Sequence, residues 1–122
     1  MGYRSSVAAV FYTTKVEYRP IIKTWLECNF PMKEFEDNIR WFDRGMVLEC
    51  DDAKWYDSYT NVKAFNDAAE EFIDLFCNGN HGEVDYAYEF MRIGEEYEDI
   101  EVIREGGYDY LLEVNRSINV EI

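Results

Sequence analysis

Histidine, proline and cysteine are all scarce in this chain of 122 residues, which has one His, two Pro and three Cys. The single histidine, His81, lies between Asn80 and Gly82 and has no histidine or cysteine beside it. A lone imidazole without a fixed acid or nucleophile is weak ground for a catalytic base, and an exposed loop side chain is expected there. Cys28, Cys50 and Cys77 are odd in number and far apart. Neither a disulfide framework nor the close ligand pair of a zinc site is written in that spacing. The expectation is three buried, reduced thiols in a cytosolic setting. No stretch reaches the ~20 continuous apolar residues of a membrane span, and no apolar leader with a cleavage site is expected.

Chemical motifs are missing as well. There is no glycine-rich phosphate loop, no GxSxG, no HExxH and no calcium-loop spacing. Asp51, Asp52 and Asp57 are the only acids grouped in a manner that suggests a weak divalent site or a small metal-assisted enzyme, with His81 the sole companion. No cofactor is expected. Met1-Gly2-Tyr3-Arg4-Ser5-Ser6 fits a myristoylation pattern formally. The net charge of −14 is repelled by anionic lipid, and residues 5–12 read as a core strand.

Basic residues are few and unevenly spread. Residues 1–60 hold ten acids and eight bases, a net of −2, whereas residues 61–122 hold sixteen acids and four bases, a net of −12. Twelve scattered bases argue against direct nucleic-acid binding, because a phosphate-binding face needs them clustered. The surplus of acid gathers in two places. Asp67, Glu70, Glu71 and Asp74 fall on one side of a helical stretch, and Glu95, Glu96, Glu98, Asp99 and Glu101 lie within a short segment. On a helix, Asp67/Glu71 and Glu70/Asp74 are like-charged i,i+4 pairs, each unfavourable by a few tenths of a kcal/mol. Selection for stability alone would have placed lysines there. Such an acidic face is either a solvating coat or a docking surface for a basic partner, and at the limit an imitation of a phosphate backbone.

What is abundant is apolar and aromatic: 48% and 17% of residues. That suffices for one folded domain spanning residues 1–122. Residues 5–12 are apolar on both faces, as in a central strand. Tyr18, Ile21, Ile22, Trp25, Leu26 and Asn29 repeat at helical spacing, with Pro20 in the first turn or at a kink, and Thr14 with Glu17 fits a capping box. Lys33–Phe42 reads as a second helix through Phe35, Ile39 and Phe42. Met46–Asp51 reads as a strand. Asn61–Cys77 is the clearest helix, with Val62, Phe65, Ala69, Phe72, Ile73 and Phe76 inward. Three further strands are expected as a meander at Val84–Gly94, Asp99–Arg104 and Tyr108–Val114, with Gly106-Gly107 as a hairpin turn and Ile118–Ile122 as a short edge. The fold class is therefore α+β: a mainly antiparallel sheet of four to five strands with two to three helices on one face, in the order β-α-α-β-α-β-β-β.

Several short pieces carry a resemblance. Met1-Gly-Tyr-Arg-Ser5, Asp52-Ala-Lys-Trp-Tyr-Asp57, Tyr88-Glu-Phe-Met-Arg-Ile-Gly-Glu95, Asp99-Ile-Glu101 and Asn115-Arg-Ser-Ile118 are similar to recurring segments of a group of small, mostly uncharacterised bacteriophage and prophage proteins. The resemblance implies a phage origin and a host cytoplasm as the setting, and it transfers no catalytic residue. Together with the acidic face it suggests a non-enzymatic accessory protein that binds a host protein with a basic surface, such as a nucleic-acid-handling or defence factor. The alternatives are the small enzyme using Asp51, Asp52 and Asp57, and a self-assembling component pairing through 118–122, for which a homodimer is the simplest form.

Overall fold

Val7, Ala9 and Phe11 alternate with Ala8, Val10 and Tyr12, and both sets are buried. Only the middle of a sheet covered on two faces can satisfy such a strand. The computed structural model, which describes residues 3–77, 85–107, 111–114 and 118–120, puts this strand, β1 (Ser5–Thr13), at the centre. The other main-sheet strands are β2 (Ile39–Phe42), β3 (Gly45–Ala53), β4 (Tyr86–Gly94) and β5 (Ile100–Gly106). They form one five-stranded antiparallel sheet in the order β2-β3-β1-β4-β5. A separate two-stranded sheet joins β6 (Leu112–Val114) to β7 (Ile118–Val120).

Two helices cover one face. α1 (Arg19–Asn29) carries Pro20 in its first turn, where the missing N–H costs nothing, so the helix starts there without a kink. Its buried positions are Ile22 and Leu26, whereas Ile21 and Asn29 are exposed and Trp25 is half-buried. Thr14 and Glu17 make no capping box, because a short 3-10 turn at Val16–Tyr18 comes first and no side chain caps it. α2 (Thr60–Phe72) buries Val62, Phe65, Ala68, Ala69 and Phe72 and runs on as a π-helical turn, Ile73–Cys77. Phe11 is the hub beneath both helices, with ring centroids 5.5 Å from Phe30, 6.1 Å from Phe65, 5.1 Å from Phe72 and 4.9 Å from Tyr88. Trp55, in the loop before α2, closes this layer against Phe35, Phe65 and Phe90.

The opposite face is covered by the β6–β7 pair, through Leu111 and Leu112 against Ala8, Val10, Tyr12, Val47, Ala87 and Met91. Two sequence-based expectations change here. Lys33–Phe42 is not a helix: 3-10 turns at Met32–Glu34 and Glu36–Asn38 lead into β2. Phe35, Ile39 and Phe42 match a helical period, but Ile39-Arg40-Trp41-Phe42 also alternates, and Asp43-Arg44 links it to β3 as a two-residue hairpin with Phe42 opposite Gly45. Nor does Gly106-Gly107 turn β5 back on a neighbouring strand. Gly106 has φ +91, a left-handed conformation natural to glycine, yet β6 pairs with β7 and not with β5, and residues 108–110 of the expected strand lie outside the described residues. Ile118–Val120 is the partner of β6 rather than an edge of the main sheet. Residues 121–122 and His81 lie outside the described residues.

Candidate functional site

The apolar stripe of α2 faces the sheet, so its polar stripe must face solvent. Asp67, Glu70 and Glu71 on α2 and Asp74 on the π turn are all exposed. The second acidic segment joins β4 to β5. Glu95, Glu96 and Glu98 are exposed, and the Glu95 carboxylate accepts the Arg4 N–H at 3.0 Å.

Asp99 and Glu101 have additional work. Arg92, on β4, grips Asp99 with two parallel hydrogen bonds, Nη2 to Oδ1 at 2.7 Å and Nη1 to Oδ2 at 3.0 Å. Its Nε donates to Glu101 at 3.2 Å. The Tyr3 hydroxyl donates to Asp99 at 2.6 Å and accepts the Glu96 N–H at 3.0 Å. The Tyr3 N–H in turn donates to the Tyr56 hydroxyl. The Arg92 fork, with the Tyr3 bond second, draws the Asp99 carboxyl down from 3.8 to about 2. The same Asp99 bond raises the Tyr3 hydroxyl above its ordinary value. Gly94 makes this packing possible, since a Cβ there would overlap the Asp99 carboxylate and the Tyr3 hydroxyl. Asp99 is therefore a brace for the N-terminal segment, with its charge already answered. Glu101 stays exposed while sharing Arg92.

The two acidic regions meet in a groove of about 300 Å³ between α2 and β5, lined by Asp57, Glu70 and Glu101 over a floor that includes Ala69, Ile73 and Ile103. A neighbouring depression of about 270 Å³ runs on through Tyr56, Asp57, Arg92 and Glu101. Sequence spacing could not show that Glu70 and Glu101 share a groove, because only the sheet order sets α2 beside β5.

The alternative trio is not brought together. Asp51 and Asp52 line a depression of about 410 Å³ with Glu34, Phe35, Trp55 and Tyr59, whereas Asp57 lines the α2–β5 groove. Among the described residues no group of three or more His, Cys, Asp or Glu is arranged to hold a metal ion. Asp52 has a backbone role: the β1–β3 register slips between Ser5 and Val7, and Asp52 takes up the extra residue at φ 54. The cysteines are corrected in part. Cys50 and Cys77 are buried, and burial pushes their thiols up to about 11 and about 12, whereas Cys28 is exposed on α1. Exposure follows from its place on the solvent side of α1, beside Glu27 and Asn29.

One buried acid escaped the sequence reading. Glu89, on β4, is fully buried under the β6–β7 pair. Its carboxylate accepts from the Tyr12 hydroxyl at 2.6 Å and from the Leu111 and Leu112 N–H groups at 3.0 and 3.1 Å, and Arg104 Nε stands 3.6 Å away. The available signal was a single acid among Ala87, Met91 and Ile93 on one otherwise apolar face of the strand. No helix is long and apolar enough to cross a membrane among the described residues. Compared with known protein families, curated proteins and solved structures, the chain matches none.

Proposed function

We propose that the protein is a non-catalytic accessory factor of phage origin that binds and modulates a host protein through its acidic surface, the host protein being a nucleic-acid-handling or defence factor with a basic face. The observation that carries this reading is the joining of Glu70, Glu101 and Asp57 in one groove beside a helix that exposes Asp67 and Glu71 at i,i+4 spacing. Acids kept at i,i+4 spacing at a cost to the helix favour an interaction over solvation alone.

Charge spacing supports a phosphate-like face. On α2, Asp67, Glu70 and Glu71 rise about 6 Å along the axis at about 1.5 Å per residue, in unequal steps of about 4.5 and 1.5 Å, a charge density of the same order as the roughly 3.4 Å per charge of one DNA strand. A protein that recognises a nucleic-acid strand through lysines and arginines would find a similar ladder here. The phage origin rests on the resemblance of the short segments noted above.

The test is the double substitution Glu70→Lys with Glu71→Lys. It should raise the stability of the free protein by roughly 0.5–1 kcal/mol, because each repulsion becomes an attraction. It should also abolish salt-sensitive capture of the partner from host lysate. A variant that melts higher and captures the same partner as well as the parent would refute the reading.

A further inference from the structure

β5 is the longer of the two outer strands of the main sheet, and among the described residues no strand lies beyond it. Its polarity can be read from its ends. The Gly94 N–H donates to the Asp99 carbonyl and the Gly107 N–H to the Tyr86 carbonyl. Antiparallel pairs alternate between bonded and non-bonded. Asp99, Glu101, Ile103, Glu105 and Gly107 therefore turn their backbone groups toward β4, and the residues between them turn outward. Val102 turns an N–H and a carbonyl away from β4, and Ile100 a carbonyl. The side chains are equally ordered. Glu101, Ile103 and Glu105 stand on the helical face, opposite Arg92, Phe90 and Tyr88, with Glu101 and Ile103 in the groove that contains Glu70. Ile100 and Val102 stand on the other face and are 41% and 45% exposed.

Natural sheets protect such edges with charged side chains, lysine above all, with prolines or with very short strands. This one has seven residues, two exposed β-branched side chains, no proline and no lysine, and its charges are Glu101, Arg104 and Glu105. We infer that the free edge of β5 takes up an extended segment of the partner as an added strand, one carrying Lys or Arg toward Glu101 and Glu105 and apolar side chains beside Ile100 and Val102. Strand addition supplies affinity through main-chain bonds and specificity through alternate side chains. The inference rests on the proposed docking of a basic partner and says which part of that partner is held. A second copy of this chain is the poorer occupant. Pairing two β5 strands in full antiparallel register places Glu101 directly against the copy's Glu105 at both ends, and like charges directly opposite are unfavourable.

The probe is a short capped peptide in which lysine and isoleucine alternate in turn along one face, with valine along the other. Its controls are a peptide of the same composition with the lysines adjacent, and one with glutamate in place of lysine. The alternating peptide should bind in a fluorescence anisotropy titration, the rearranged one at least about tenfold more weakly, and the acidic one not at all. Val102→Pro removes an outward N–H without touching a bond to β4, so it should weaken the alternating peptide by about tenfold or more. Should Val102→Pro fail to fold, hydrogen exchange decides in the parent protein, where the Val102 amide should be slowed by the peptide. Equal binding of both lysine peptides, with Val102 exchange unchanged, overturns strand addition and leaves the acidic docking face standing. Failure of every peptide overturns the inference as well, and the partner's response to Glu70→Lys with Glu71→Lys then judges the broader reading separately.

Discussion

Glu89 is a carboxylate in a place where a charge is costly unless it is fully bonded. Its oxygens take the Tyr12 hydroxyl and two backbone N–H groups, so it substitutes for the strand partner that Leu111 and Leu112 would otherwise need. Glutamine in its place keeps the shape but turns an amide donor toward other donors. Glu89→Gln should cost roughly 2–4 kcal/mol, measurable by denaturant melts, with hydrogen exchange rising first at Leu111 and Leu112. The cysteines make a second residue-scale prediction. A thiol reagent at neutral pH should label Cys28 at once and reach Cys50 and Cys77 only after unfolding, because those two are buried with thiols pushed up to about 11 and about 12. Fast labelling of two thiols in the native protein would contradict the packing of β3 or of the π turn that follows α2.

At the scale of elements, the two helices are held unequally. α2 buries five side chains, and Phe72 lies between Phe11, Trp25 and Phe76. α1 buries only Ile22 and Leu26, with Trp25 half-exposed at its margin. Phe72→Ala should therefore cost ~3–5 kcal/mol, and Trp25→Ala clearly less, although tryptophan is the larger side chain. Equal losses from both would mean that Trp25 is enclosed as deeply as Phe72. The helical period of Asn61–Cys77 was legible because a long stripe of aromatics has one reading. The Lys33–Phe42 segment was not, since a short apolar run satisfies helix and strand periods alike and β3 decides between them.

At the scale of the molecule, the Arg92–Asp99–Tyr3 cluster ties the start of the chain to the β4–β5 turn, with Tyr56 from the middle of the chain bonded to the Tyr3 backbone. Because the Asp99 carboxyl titrates lower in the folded protein than its ordinary 3.8, it stabilises the fold above that pH and loses this contribution as pH falls toward about 2. The carboxyl, followed by NMR, should show a midpoint near 2 that rises toward 3.8 in Arg92→Gln, with a smaller rise in Tyr3→Phe. A midpoint unaffected by Arg92→Gln would show that the fork is not what lowers it.

The amino-acid order alone determined the two-sided burial of β1, the inward face of α2, the crowding of acid into the second half and the α+β class, since each is a matter of local period and composition. Tertiary structure decided the rest. The sheet order placed Glu101 beside Glu70, turned Asp99 into a brace and set β5 outermost among the described strands. It also buried Glu89 beneath a strand pair that belongs to no hairpin with β5. These are relations between residues distant in sequence, fixed by which strands pair, and no local pattern encodes the choice of neighbour.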